Sequence, residues 1–81
     1  MVRILPVQSW MARTALGWGV SDLARAAEVS LNTVMRFERG EALKPDTVEM
    51  IQCALEKAGV IFIGAEQGGP GATLRSSGEA G

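Results

Sequence analysis

The stretch that decides the fold is VSDLARAAEVSLNTVMRFERG, residues 20–40. Apolar residues recur in its first part at the three- and four-residue spacing of a helix, which predicts a short helix over about residues 20–27. Ser30 then favours the start of a second helix, because a serine hydroxyl can accept a hydrogen bond from a backbone N–H of the first turn. This helix is predicted over about residues 31–39, with Gly40 as its stop. The centre of the chain is therefore two short helices joined by a tight turn.

Small and apolar side chains in this stretch meet the packing requirements of a helix-turn-helix unit. Ala24 gives the first helix a small residue where the two helices cross, and Val29 can point inward from the turn. Val34 and Phe37 form the inner stripe of the second helix, which leaves its other face free. The first helix is thus expected to brace the second.

Outward from this unit, the pattern predicts two further helices and a change to β-structure. One helix begins near Pro6 and stops at Gly17, and a longer one runs from Pro45 to about Ala58. After it, VIFI at 60–63 is β-branched and aromatic, which predicts a strand, and ATLR is a candidate return strand of a hairpin. The predicted fold class is mainly α, with four helices and a short C-terminal β-strand or hairpin.

The length of 81 residues gives room for one domain with one modest core. We assign residues 1–59 to the helix-turn-helix domain and residues 60–75 to a C-terminal β-extension. Residues 76–81 are expected to form a flexible tail.

The composition excludes several kinds of site. Cys53 is the single cysteine and the chain has no histidine, so a zinc site of the Cys/His kind and a histidine-based catalytic triad are excluded. We expect no metal, no cofactor, no small-molecule ligand and no enzymatic activity. The lack of a possible internal disulfide fits a reducing cytoplasm. No apolar run approaches the roughly 20 residues needed to span a bilayer, so we expect a cytoplasmic protein without membrane association.

The charge balance argues against nucleic-acid binding. The formal net charge is −1 and the pI is near 5.3, whereas a basic excess is the usual footprint of a nucleic-acid-binding domain. Charges segregated on one face matter more than their sum, so the objection is not decisive.

The run LGWGVSDLARAAEVSLNTVMRFERGEALKP, residues 16–45, resembles the Cro/C1-type (lambda-repressor-like, or Xre) helix-turn-helix family. The resemblance is carried by LA, VS, TV and FERG at the family's spacing, and it covers about residues 12–58. It implies a four-helix lambda-repressor-like domain that acts as a sequence-specific transcriptional regulator. The implied partners are double-stranded DNA and a second copy of the chain, as a homodimer on an inverted-repeat operator.

The resemblance also implies roles for individual residues. Arg13 and Glu38 stand where the family holds a structural ion pair. Contacts to bases in the major groove are implied for Leu31, Asn32, Thr33 and Arg36. Contacts to phosphates are implied for Ser21, Ser30, Arg39 and Lys44.

The sequence departs from the family pattern at three places. Gly19 and Val20 replace the usual Ser/Thr-Gln, so the phosphate contact of that glutamine is lost, and Ser21 is a candidate substitute. Glu28 replaces the usual turn glycine, and Met35 lies at an outward position where a polar or basic residue would suit DNA binding better. These departures keep open the alternative of contact with another protein, such as an activator or RNA polymerase. An antitoxin of a toxin–antitoxin pair is a further alternative, because such antitoxins often use the same DNA-binding fold.

The apolar strand at 60–63 has two interpretations. It pairs with its mate in a two-fold dimer, together with one of the tryptophans, or the hairpin folds back on its own helices. The candidate residues for dimer or protein contacts are Trp10, Trp18, Met35, Val60, Ile61, Phe62 and Ile63.

Overall fold

The computed structural model of the protein describes residues 4–63 and 71–74. Within them, the helices are α1 (Pro6–Ala15), α2 (Val20–Ala27), α3 (Leu31–Glu38) and α4 (Pro45–Lys57), and the strands are β1 (Val60–Ile63) and β2 (Gly71–Leu74). The strands form an antiparallel hairpin. The prediction of a mainly α fold with four helices and a C-terminal hairpin is confirmed. The tail expected at 76–81 lies outside the described residues.

The core lies between the inward faces of the four helices and one face of the hairpin. Helix α2 packs against α3 and α4, and α1 packs against α3, α4 and β2. Leu23, Val34, Ile51 and Leu55 are fully buried where these helices meet. Burying a side chain of this size stabilises the folded state by about 1.5–3 kcal/mol, so these four residues contribute strongly to the packing of the helices.

The hairpin packs on the helices of its own chain. Val60 is buried, and Phe62 and its cross-strand partner Ala72 pack against the core. Ile61 lies on the opposite face of β1 and is exposed. Of the two interpretations of the apolar strand, folding back on the chain's own helices is thus what the structure contains.

A buried polar network ties the N-terminal segment to the rest of the fold. Gln52 of α4 accepts a hydrogen bond from Ile4 N at 3.1 Å through its Oε1. Gln8 of α1 accepts from Leu5 N at 2.8 Å and donates from Nε2 to the carbonyl oxygen of Gly71 at 3.0 Å. Because both glutamine side chains are buried, these bonds compensate a desolvation cost that would otherwise be large.

The turn between α2 and α3 places a non-glycine residue in a left-handed conformation. Glu28 has φ of 60° and ψ of 41°, at the C-terminal end of α2. The following residue, Val29, closes the turn by donating from its N–H to the carbonyl oxygen of Ala24 at 3.0 Å. Glu28 stands where the Cro/C1-type pattern has glycine, and glycine is the residue that adopts such a positive φ without strain. An L-residue in this region costs roughly 1–2 kcal/mol.

Arg13 of α1 and Glu38 of α3 form a bidentate ion pair. Arg13 Nε lies 2.9 Å from Glu38 Oε2, and Arg13 Nη2 lies 2.9 Å from Glu38 Oε1. The hydroxyl of Ser9 donates to the same carboxylate at 2.9 Å, and Arg13 Nη1 donates to the carbonyl oxygen of Trp18 at 3.2 Å. The two charged side chains are only 15% and 10% exposed, so solvent screens the pair weakly.

The Glu28→Gly variant is expected to be more stable than the wild type by about 0.5–1 kcal/mol. Glycine adopts the positive φ without strain, and this gain exceeds the additional backbone entropy that glycine loses on folding. Urea denaturation followed by circular dichroism measures the difference. Glu49→Gly, in the middle of α4, is the matched control and should lose about 1 kcal/mol. A destabilised Glu28→Gly variant would contradict the assignment of strain to this turn.

Arg13→Ala and Glu38→Ala are each expected to lower the free energy of unfolding by about 3 kcal/mol, because each leaves a nearly buried charge without its partner. The double variant should lose much less than the sum, since it removes both charges. Chemical denaturation of the four proteins in this double-mutant cycle measures the coupling. Additive losses would mean that the two side chains act independently.

Candidate nucleic-acid interface

Helix α3 presents one complete face to solvent. Val34 and Phe37 are buried against the other helices, which fixes the rotation of α3 about its axis. The exposed outward residues are Leu31, Asn32, Met35 and Arg36. Three of the four predicted base-contacting residues therefore share this exposed face, while the fourth, Thr33, is half-buried.

Ser30 and Thr33 are bonded to each other at the start of α3. Ser30 Oγ accepts from the backbone N–H of Thr33 at 3.0 Å, and the two hydroxyl oxygens lie 2.8 Å apart. Ser30 is therefore the N-cap of α3, and capping by a serine stabilises a helix by about 1 kcal/mol. The predicted phosphate contact of Ser30 would have to be made in addition to this capping role.

The first turn of α2 carries a carboxylate that the sequence analysis did not single out. Asp22 Oδ2 accepts a hydrogen bond from the backbone N–H of Gly19 at 2.8 Å. Ser21, the predicted phosphate contact, is exposed beside it. Because Asp22 already places negative charge on the positive end of the helix dipole, a phosphate is less favoured there.

At the other end of α3, Glu41 bridges two arginines. Its Oε1 accepts from Arg36 Nε at 2.9 Å, and its Oε2 accepts from Arg39 Nη2 at 2.6 Å. Arg39 is the C-cap of α3, so the helix ends one residue earlier than predicted. Arg36 and Arg39 are a predicted base contact and a predicted phosphate contact, and here one carboxylate holds both. The sequence signal was the position of Glu41 directly after the helix-ending Gly40.

The two guanidinium groups keep the Glu41 carboxyl ionised. Its pKa lies below the ordinary value of 4.5, mainly because of the hydrogen bond from Arg36 and then because of that from Arg39. The Glu41 carboxyl is therefore ionised at neutral pH and contributes a fixed negative charge at this end of α3.

A shallow cavity of about 330 Å³ lies between α3 and the start of α4. It is lined by Thr33, Arg36, Ala42, Leu43, Lys44 and Thr47. Lys44 is exposed and stands at the N-cap position of α4. The cavity therefore brings together Lys44, a predicted phosphate contact, and Thr33 and Arg36, two predicted base contacts.

The candidate residues for dimer or protein contacts divide by exposure. Trp10 on α1 is 51% exposed, Met35 is 42% exposed and Ile61 is 45% exposed. Trp18, Val60 and Phe62 pack within the chain's own core, and Ile63 ends β1. Trp10, Met35 and Ile61 thus offer a large part of their side chains to a partner, whereas Trp18, Val60 and Phe62 do not.

Cys53 is exposed on α4. In residues 4–63 and 71–74, no three side chains among His, Cys, Asp and Glu are grouped closely enough to hold a metal ion. No described helix has the length and apolar character to cross a membrane.

No protein-family profile matches the chain. No curated protein sequence matches it significantly either. The resemblance to the Cro/C1-type family consequently rests on the residues themselves.

Arg36→Gln is expected to raise the pKa of Glu41 toward its ordinary value, because it removes the hydrogen bond that lowers this pKa most. In the folded wild type, the pKa of Glu41 is depressed. The bonds from Arg36 and Arg39 to Glu41 therefore stabilise the fold above the ordinary pKa, and this contribution is lost as the pH falls through the lowered pKa. An acid titration of the Glu41 carboxyl by NMR measures both proteins. Arg25→Gln on α2 is the control and should leave the titration of Glu41 unchanged. A wild-type Glu41 that titrates at or above its ordinary pKa would contradict the arginine bridge.

Proposed function

We propose that the protein is a sequence-specific DNA-binding transcriptional regulator of the Cro/C1 type, which reads the major groove of double-stranded DNA with α3. The observation that carries the proposal is the division of α3 into a buried face and a solvent-exposed face that bears Asn32 and Arg36. A major groove about 12 Å wide admits one α-helix, and an exposed face of this kind is what such a helix needs.

The exposed side chains suit the chemistry of base edges. An asparagine amide can make a bidentate contact to adenine, and an arginine can make one to guanine, which assigns these roles to Asn32 and Arg36. Leu31 suits the methyl group of thymine. Arg39 and Lys44 follow α3 in the chain and suit phosphates, which orient the protein on the duplex without specifying sequence.

The local charge favours this face more than the net charge of the chain does. Arg36, Arg39 and Lys44 are exposed at one end of α3 and the start of α4, where Glu41 offsets one of these three positive charges. Charges clustered on one surface attract the phosphate backbone even where the total charge is near zero. The electrostatic objection from the acidic pI therefore applies less strongly to this surface.

A homodimer on an inverted-repeat operator is part of the proposal. One DNA-binding domain with few basic residues binds DNA weakly, and joining two such domains in a dimer increases the affinity through effective concentration. Leu5, Val7 and Trp10 are exposed apolar residues at and near the start of α1, and Ile61 is exposed on the hairpin. Trp10 and Ile61 are among the contacts predicted from the sequence, and Leu5 and Val7 add exposed apolar surface beside Trp10.

Asn32→Ala and Arg36→Ala are each expected to weaken binding to the preferred duplex by about 1–3 kcal/mol, or roughly five- to 150-fold, because each removes a contact to a base. Duplexes are selected from a random pool with the wild type, and fluorescence anisotropy then compares the selected and the scrambled sequence at two salt concentrations. Both variants should lose the preference between the two duplexes. Arg25→Ala, which removes the same charge from α2 as Arg36→Ala removes from α3, should keep it.

A second candidate function, contact with another protein such as RNA polymerase, is favoured by one observation. Leu31 and Met35 lie one turn apart on α3 and are 47% and 42% exposed, so the same face is partly apolar. Failure of the wild type to bind any duplex in the experiment above would refute the DNA-binding proposal and favour this one. Binding of the chain to RNA polymerase that is lost in Met35→Glu would then support it.

A further inference from the structure

The end of α3 is closed by backbone hydrogen bonds that also fix the position of Glu41. Gly40 N donates to the carbonyl oxygen of Phe37 at 3.0 Å, and Glu41 N donates to the carbonyl oxygen of Arg36 at 3.0 Å. This is a Schellman motif, which requires a positive φ after the C-cap, and Gly40 supplies it with φ of 97°. Because the Glu41 backbone is bonded to Arg36, its side chain begins directly beside the last turn of α3.

The Glu41 carboxylate occupies the donors of two arginines at once. It accepts from Arg36 Nε at 2.9 Å and from Arg39 Nε and Nη2 at 3.1 and 2.6 Å. The three side chains are 43–59% exposed, so the whole cluster faces solvent. A DNA phosphate presents to a guanidinium group the same kind of charged oxygen pair as a carboxylate. Glu41 therefore occupies donors that Arg39 would offer to a phosphate and that Arg36 would offer to a base edge.

We propose that Glu41 is an internal competitor for DNA, which holds Arg36 and Arg39 in the free protein, is displaced from them when Arg36 contacts a base and Arg39 a phosphate, and so sets the affinity for DNA. The inference rests on the proposed function. Two guanidinium groups and one carboxylate give this cluster one net positive charge, where two would be present without Glu41. Exposed ion pairs are individually weak, so DNA can displace the carboxylate.

The displaced carboxylate stays close to the DNA, because its backbone is fixed by the motif that ends α3. It then repels the phosphates that have taken its place, and this repulsion weakens as salt is added, since the screening length is about 10 Å at 0.1 M ionic strength. Glu41 should therefore lower the affinity most at low salt. It should also lower the number of phosphates that the chain neutralises.

The Glu41→Gln variant tests the inference, since it removes the charge and keeps the backbone bonds of the motif. We expect it to bind the selected and the scrambled duplex about fivefold more tightly at low salt, as removal of one repulsion in water would give. The advantage should shrink as salt increases. The slope of log K against log salt should become steeper by up to about 0.9, which corresponds to one additional neutralised phosphate.

Two control variants separate this effect from others. Glu49→Gln makes the same change of charge at an exposed position in α4 and should leave the salt slope unchanged. Glu41→Asp keeps the charge and should keep the wild-type slope. Circular dichroism verifies that each variant is folded.

The outcomes are distinguishable. Tighter binding with a steeper slope in Glu41→Gln supports the inference. Unchanged affinity and slope in a wild type that binds DNA overturn the inference and leave the proposed function standing. Weaker binding also overturns it, since Glu41 would then orient the arginines for DNA. Failure of both proteins to bind any duplex overturns the inference and the proposed function together.

Discussion

The ion pair between Arg13 and Glu38 is the interaction on which the placement of α3 depends. It joins α1 to the last residue of α3, and Ser9 adds a third hydrogen-bonding group to the same carboxylate. Burial of Val34 and Phe37 sets the orientation of α3 about its own axis, but apolar contacts are not directional. A bidentate pair has strict geometry, so it fixes the end of the helix along its axis. The two constraints together set the orientation of the exposed face of α3.

Both ends of α3 are closed by residues that any function of its exposed face must accommodate. Ser30 caps the beginning, and its hydroxyl is bonded to that of Thr33. Gly40 ends the helix and turns the chain so that Glu41 meets Arg36. Helix ends need such partners because their terminal N–H and C=O groups lack internal ones. The local requirements of an eight-residue helix thus decide which polar groups remain available to a partner.

The sequence predicted the elements well because each has a local signal. Helix starts at Pro6, Ser30 and Pro45, and the β-branched run after Gly59, lie in the chain where the structure has them. The network through Gln8 joins residues 63 positions apart, and no local pattern reports such a contact. The bridge from Glu41 to two arginines was missed for a different reason. Its parts are close in sequence, but exposed charges have many possible partners, and only the turn at Gly40 selects among them.

Three acidic residues, at the start of α2, in the turn before α3 and after the end of α3, each have a local structural role. Asp22 bonds the N-terminus of α2, Glu28 takes the turn before α3, and Glu41 lies at the position fixed by the end of α3. Their charges offset part of the positive charge of the exposed basic residues, in a chain whose net charge is −1. A DNA reader built in this way would gain little affinity from general attraction to phosphates. Its discrimination would rest on base contacts and on a second copy, because neither depends on a basic excess.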